Sequence, residues 1–220
     1  MGQRSAVMKS VESEELEYSR WQLALKRLLD LLVAAVLLAV ISPLWLCIAL
    51  WIRLDSSGPA VFRQIRIGLG GKPYTIYKFR TMVQNADAMI QAKLEQVKDL
   101  EGFVFQEKDD PRITRSGKFL RKTSLDELPQ LINILIGNMS LVGPRPEVPE
   151  IVKHYTPEQR RRLSVLPGVT GWAQVNGRGE LTLGETMGYD LKYVQAWSFW
   201  FDLQILWKTV FIVFTGQGAY

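Results

Sequence analysis

From Leu31 to Ile52 the chain carries no Asp, Glu, Lys or Arg. A helix of this length matches the hydrocarbon core of a bilayer, which takes ~20 apolar residues to cross. Globular cores seldom need such a run. It begins too late for a leader peptide, and no small-residue cleavage site follows it. Ser42-Pro43 falls at its middle, where proline removes a backbone donor and crowds the preceding turn, so a kink or break is expected. Both flanks are basic: Lys26 and Arg27 before, Arg53 after. Lys and Arg stay on the cytoplasmic face. A straight span satisfies one flank, whereas a helix-break-helix that enters and leaves by one face satisfies both. The expectation is a re-entrant helical hairpin over 21–55 with Ser42 and Pro43 as the membrane break. A polar segment over 1–20 precedes it, with a helix leading in from Ser13. The functional domain occupies 56–220.

The remaining sequence predicts an α/β fold, mainly α, with a small β-hairpin. Val61–Ile67 and Tyr74–Phe79 are β-rich runs joined by a glycine-rich turn. A phosphate loop would need a longer glycine spacing, a Lys-Ser/Thr ending and a following helix; here a strand follows. Asn85–Val97 has helical spacing, and 98–111 reads as a charged loop. Ser116–Leu120 and Leu128–Ile136 are short helices, Pro144 and Pro146 mark a rigid loop, Pro157–Leu163 is a basic helix, and Pro167-Gly168 is a turn. Tyr193–Phe214 is rich in Trp and Phe but interrupted by Asp202 and Lys208. It suits an amphipathic interfacial helix or one packed on the core.

The net charge of +5 suggests an anionic partner: nucleic acid, acidic lipid or a phosphorylated substrate. A single cysteine, Cys47, excludes an internal disulfide and multi-cysteine zinc sites; within its apolar run it reads as a small buried hydrophobe. A single histidine, His154, excludes histidine-cluster metal sites, so any metal would be held by oxygen ligands.

Chemistry concentrates at Arg121-Lys122-Thr123-Ser124-Leu125-Asp126-Glu127-Leu128-Pro129-Gln130. Ser124-x-x-Glu127 fits a helix capping box, with Asp126 complementing the helix dipole. Pro129 suits the first turn better if Asp126 is the cap. Either way the adjacent acids lie at a helix start, which together with Arg121 should keep Asp126 ionised. A carboxylate can attack phosphorus, and phosphoryl transfer also needs positive groups around the phosphates. Lys78, Arg80, Arg112, Arg115, Arg121 and Arg145 supply them. A nucleic-acid partner is not expected, because two acids among these cations would weaken polyanion binding. A non-enzymatic membrane-anchored polyanion binder and a membrane phosphatase are the alternatives.

Ordered stretches along almost the whole chain carry a resemblance. They are Lys26-Arg27-x-x-Asp30 with Ser42-Pro43; Gly58-Pro59-x-x-Phe62-Arg63-Gln64; Tyr77-Lys78-Phe79-Arg80-Thr81-Met82; Asp110-Pro111-Arg112; Leu120 to Pro129; Gly143-Pro144-Arg145-Pro146; Pro167 to Arg178; and Tyr189-Asp190 with Trp197-Ser198. The chain resembles the bacterial sugar transferases of the polyprenyl-phosphate phosphoglycosyl transferase family, the monotopic kind. The resemblance implies a Mg²⁺-dependent enzyme at the cytoplasmic face of the bacterial inner membrane, acting at the first membrane step of a surface polysaccharide pathway. Asp126 would be the nucleophile that takes a phosphosugar from a UDP-sugar, releasing UMP, and would approach the Mg²⁺. Glu127 would assist, as base, metal ligand or cap, when a polyprenyl (undecaprenyl) phosphate attacks. Lys78, Arg121 and Arg145 would neutralise phosphate charge, with Arg80 a further substrate-binding candidate; Gln174 and Arg178 would contact the donor, and Asp190 would orient the nucleotide or an arginine. The sugar and any homo-oligomer stay open. The linker from Gly179 to Gly188 is shorter than in many relatives. Without the extra N-terminal spans of larger relatives, the chain reads as a minimal catalytic form.

Overall fold

The computed structural model describes residues 18–84, 86, 110–177 and 180–215. The expected helix over Asn85–Val97 falls outside these residues except for Ala86, as do Arg178 and nearly all of the expected loop over 98–111.

The apolar run lies within helix α1, Arg20–Asp55. Helix assignment continues unbroken through Pro43, so the expected interruption at Ser42-Pro43 is not seen as two separate helices. The reason is local. Pro43 cannot donate to the carbonyl of Ala39, and the Ser42 hydroxyl donates to that carbonyl instead (2.9 Å). Only 11 % of the most apolar window of α1 is buried, and the helix is long and apolar enough to cross a membrane. Val40 and Leu46 are 71 % and 76 % exposed. Cys47, expected to be buried, is exposed on this same helix.

Both ends of α1 are tied to the rest of the protein. Near the start, Lys26 donates to Asp202 (2.5 Å) and to the Val142 carbonyl (2.8 Å), and Asp30 accepts from the Leu141 N–H (2.9 Å). At the far end, Asp55 accepts from the backbone and hydroxyl of Ser116 (2.9 and 2.8 Å). Ile48 and Ile52 pack there with Phe79 and Leu120.

Strands β1 (Val61–Ile67) and β2 (Pro73–Phe79) form the expected antiparallel hairpin, paired from Val61–Phe79 to Ile67–Pro73. The turn uses Gly70 and Gly71 at positive φ. Helix α2 (Arg115–Thr123) is capped by Thr114, whose Oγ1 accepts from the Gly117 N–H (3.0 Å). Helix α3 (Gln130–Ile136) ends at Gly137 in the left-handed region. A parallel pair follows, β3 (Ser140–Val142) with β4 (Gly168–Thr170), so Gly168 belongs to a strand where a turn was expected. Helix α4 (Pro149–Val152) is short, and the expected basic helix is a 3₁₀ turn over Gln159–Ser164. The aromatic C-terminal stretch divides at Trp197-Ser198 into α5 (Leu183–Ala196) and α6 (Phe199–Thr215). A capping box of Thr182 and Glu185 starts α5. The main core gathers Ala34 of α1, Ile76 of β2, Ile134 of α3, Val142 of β3, Val194 of α5 and Ile205 of α6.

Candidate active site

Ser124 sits at the centre of the site's geometry. It ends α2 in the left-handed region (φ 59°), the one non-glycine residue at positive φ among those described. Such a conformation strains an L-residue and turns the chain sharply. The next residues form a 3₁₀ turn, Leu125–Glu127, before α3 begins at Gln130. The Ser124–Glu127 capping box is therefore not formed: Ser124 makes no side-chain cap bond. The acids project from an elbow between two helices instead.

Close backbone packing brings cations to this elbow. A Cβ on Gly117 would lie 2.1 Å from the Thr81 carbonyl oxygen, so α2 lies directly on the backbone that follows β2. One turn later Arg121 donates from Nε to the Thr81 hydroxyl (3.0 Å). Gly143 and Gly168 likewise allow β3 and β4 to meet, with a Cβ on Gly168 only 2.1 Å from the Gly143 nitrogen. That contact fixes the turn that presents Arg145. Lys78 of β2 and Arg145 both donate to the same Glu127 oxygen, Oε1, at 2.9 and 3.2 Å. Among the described residues none donates a hydrogen bond to Asp126.

The charge balance differs from the sequence expectation. The helix start and Arg121 were expected to keep Asp126 low. Instead burial, and then the neighbouring negative charge of Glu127, push its carboxyl up to about 6, against the pull of Lys78, Arg121 and Arg145. It remains mostly ionised at neutral pH. Burial holds Lys78 below its usual range, although Glu127 opposes this. These groups line a cavity of about 610 Å³.

The other expected site residues divide. Gln174 lines the same cavity, and neither of its buried amide atoms has a partner. Arg80 also lines it, but its Nη2 is spent on the end of α1, donating to the Ser56 carbonyl (2.7 Å) and hydroxyl (3.0 Å). Asp190 is fully buried away from the cavity and pairs with Arg162. Arg162 in turn donates to the Arg145 carbonyl (2.8 Å) and to the Tyr155 hydroxyl (2.5 Å), with Glu147 nearby at 3.8 Å. Asp190 thus reaches the site through Arg162, which holds the backbone of Arg145. Burial raises the Asp190 carboxyl to about 6 despite that cation. Sequence reasoning missed Arg162 and Glu147. In the run Arg160-Arg161-Arg162 nothing local distinguishes the buried arginine from its neighbours.

No group of three or more metal-ligating side chains occurs among the described residues. A Mg²⁺ ion needs less, because one or two carboxylates with substrate phosphates and water suffice. Asp126, with no hydrogen bond drawn to it, fits that role.

The chain is similar in sequence to known proteins. The family model described as bacterial sugar transferase matches residues 21–216. The UDP-glucose:undecaprenyl-phosphate glucose-1-phosphate transferase of Escherichia coli is 45 % identical over 211 residues, covering 89 % of this chain and 41 % of that protein. The undecaprenyl-phosphate galactose phosphotransferase of Salmonella typhimurium is 42 % identical over 205 residues, 89 % of this chain and 42 % of its own length. The uncharacterized sugar transferase EpsL of Bacillus subtilis is 43 % identical over 194 residues, 88 % of this chain and 89 % of its own. The chain thus spans about two-fifths of the first two relatives and most of the third.

Proposed function

The chain belongs to the bacterial sugar transferase family, and we propose that it moves a sugar 1-phosphate from a UDP-sugar to a polyprenyl phosphate. The observation that carries this reading is an adjacent pair of carboxylates with divided tasks, set in a cationic cavity. Glu127 takes the bonds of Lys78 and Arg145, which leaves Asp126 open to attack phosphorus. The names of the relatives, which pair a UDP-sugar or undecaprenyl phosphate with sugar-phosphate transfer, support it.

In the first half-reaction an Asp126 carboxylate oxygen bonds to the phosphorus that bears the sugar. The bond from that phosphorus to the bridging oxygen breaks, and UMP leaves. In the second, an oxygen of the lipid phosphate bonds to the same phosphorus, the bond to Asp126 breaks, and a polyprenyl-diphosphate sugar forms. Glu127 accepts the proton if the lipid phosphate attacks in its protonated form. Arg121 and Arg145 face the negative charge of the transferring phosphoryl group, and Lys78 keeps Glu127 in place. Asp126 would hold Mg²⁺ together with the substrate phosphates; the ion would neutralise charge on the diphosphate.

A re-entrant course for α1 and a cytoplasmic-membrane location belong to the same proposal. Both ends of α1 are tied to one body while its middle is exposed, and both flanks are basic. An apolar middle held out between two fixed ends suits a helix that dips into one leaflet.

The test is UMP release by the purified full chain from a panel of UDP-sugars without lipid acceptor. About one UMP per chain is expected, and Asp126→Asn should abolish it. Full activity in that variant would falsify the assignment of the nucleophile. Free sugar phosphate accumulating without acceptor would point to a phosphatase instead.

A further inference from the structure

Arg121 stands near the reactive carboxyl and is not bonded to it. It lines the same cavity as Asp126, close enough for its charge to act on that carboxyl. A guanidinium beside a carboxylate tends to close on it with two parallel hydrogen bonds, which would mask the nucleophile proposed above. That closure has not happened. The hydrogen bond of Arg121 to another described side chain runs from Nε to the Thr81 hydroxyl (3.0 Å), and neither terminal nitrogen has an acceptor among the described residues.

Thr81 is a fixed point for this bond. It is buried, its carbonyl accepts from the Thr114 N–H (3.0 Å), and the next residue, Met82, bridges to Ile113. Arg121 follows Gly117 by four residues, so it lies on the face of α2 that packs on the Thr81 backbone. Other acids that could draw the guanidinium away are already engaged. Asp110, whose charge also acts on Arg121, accepts from the Arg112 Nε (2.8 Å) and backbone N–H (3.0 Å). Glu127 accepts from Lys78 and Arg145. We propose that Thr81 is a positioning residue: by taking the Nε–H of Arg121 it holds the guanidinium off Asp126 and leaves both terminal nitrogens to grip two oxygens of the phosphoryl group in transfer. The inference rests on the reaction proposed above. Thr81 itself makes and breaks no covalent bond. It sets the rotation of a planar fork whose match to phosphate oxygens depends on that rotation.

The test is a double-mutant cycle on the full chain in detergent, read by rapid-quench UMP release at saturating UDP-sugar without lipid acceptor. Thr81→Val keeps the volume and removes the acceptor, and the rate should fall about 10- to 100-fold, the range for a hydrogen bond to a charged group. Thr81→Ser keeps the hydroxyl and should restore most of that rate. Arg121→Lys has no Nε–H to hold, so adding Thr81→Val to it should cost less than about twofold. The proposal is overturned if Thr81→Val releases UMP at the unmodified rate, or if it costs as much beside Lys as beside Arg. A second readout does not depend on turnover. The ¹⁵N–¹H signal of the Arg121 Nε, identified by its loss in Arg121→Lys, should exchange slowly with water in the unmodified chain and in Thr81→Ser. In Thr81→Val it should exchange at least about tenfold faster, and unchanged exchange would overturn the proposal as well. Thr81→Ala repeats both measurements if thermal unfolding shows that Thr81→Val does not fold. Absence of UMP release from every UDP-sugar by the unmodified chain would instead overturn the reaction, with the exchange measurement still deciding whether Thr81 holds Arg121.

Discussion

In the reaction proposed above, a carboxylate that attacks phosphorus works best when it is buried, ionised and not already hydrogen-bonded, and these demands conflict. Asp126 would meet them at a cost in stability. Its folded pKa of about 6 lies above the ordinary value of ~3.9. The folded state therefore holds the proton more tightly than the unfolded chain, and stability from this group is lost as pH rises through about 6. Asp126→Asn should accordingly raise the thermal unfolding midpoint while abolishing turnover. The rate of acceptor-independent UMP release should climb with pH and level off above about 6. Glu127→Gln removes a negative neighbour, so the inflection should move to lower pH; rapid-quench profiles would show it. A second buried ion pair has another task. Arg162→Met leaves Asp190 unpaired in the interior, which costs ~3–5 kcal/mol. Adding Asp190→Leu should recover much of that stability, seen by thermal unfolding. UMP release should stay impaired, because the Arg145 carbonyl has lost its donor. Recovery of both together would show that Arg162 acts on stability alone.

At the scale of elements, the site depends on how closely two backbones approach. α2 reaches the Thr81 carbonyl because Gly117 has no side chain. Gly117→Ala should cost more than the ~1–3 kcal/mol typical of overpacking, since the clash is with backbone, and it should pull Arg121 away from Thr81. Gly188, inside α5, has open space where an added methyl group would sit, with nothing within 4 Å. Gly188→Ala should therefore stabilise the chain by ~0.5–1 kcal/mol through helix propensity. Thermal unfolding of the two variants gives opposite signs if packing, rather than glycine content, governs. The elements themselves were only partly legible. The hairpin could be read from its β-rich runs and glycine turn. The β3–β4 pair could not, because Ser140–Val142 and Gly168–Thr170 are too short to show a period, and their pairing is long-range. The true capping box, Thr182 with Glu185, was overlooked for the stronger-looking one at Ser124 and Glu127.

For the whole molecule, α1 is part of the fold as well as a helix long and apolar enough to cross a membrane. Ala34 lies in the main core, Lys26 bridges to Asp202 of α6, and Asp55 caps toward α2. A topology follows that labelling can test. In a Cys47→Ala background, Ser19→Cys and Ser57→Cys should react with a membrane-impermeant maleimide from the same side of sealed vesicles. Labelling from opposite sides would establish a straight span and remove the proposed re-entrant course.

The sequence by itself determined the membrane-length apolar run, the hairpin, the adjacent acids and the cations that accompany them, because each is written in local spacing and charge. Tertiary structure alone decided which cation serves which acid. Lys78 and Arg145, far apart in the chain, converge on Glu127 and leave Asp126 open. Arg80 goes instead to the end of α1, and Asp190 acts through Arg162. The physical reason is that a charge acquires its role from its burial and its partners. Both depend on backbone contacts, such as those at Gly117 and Gly168, between segments distant in sequence.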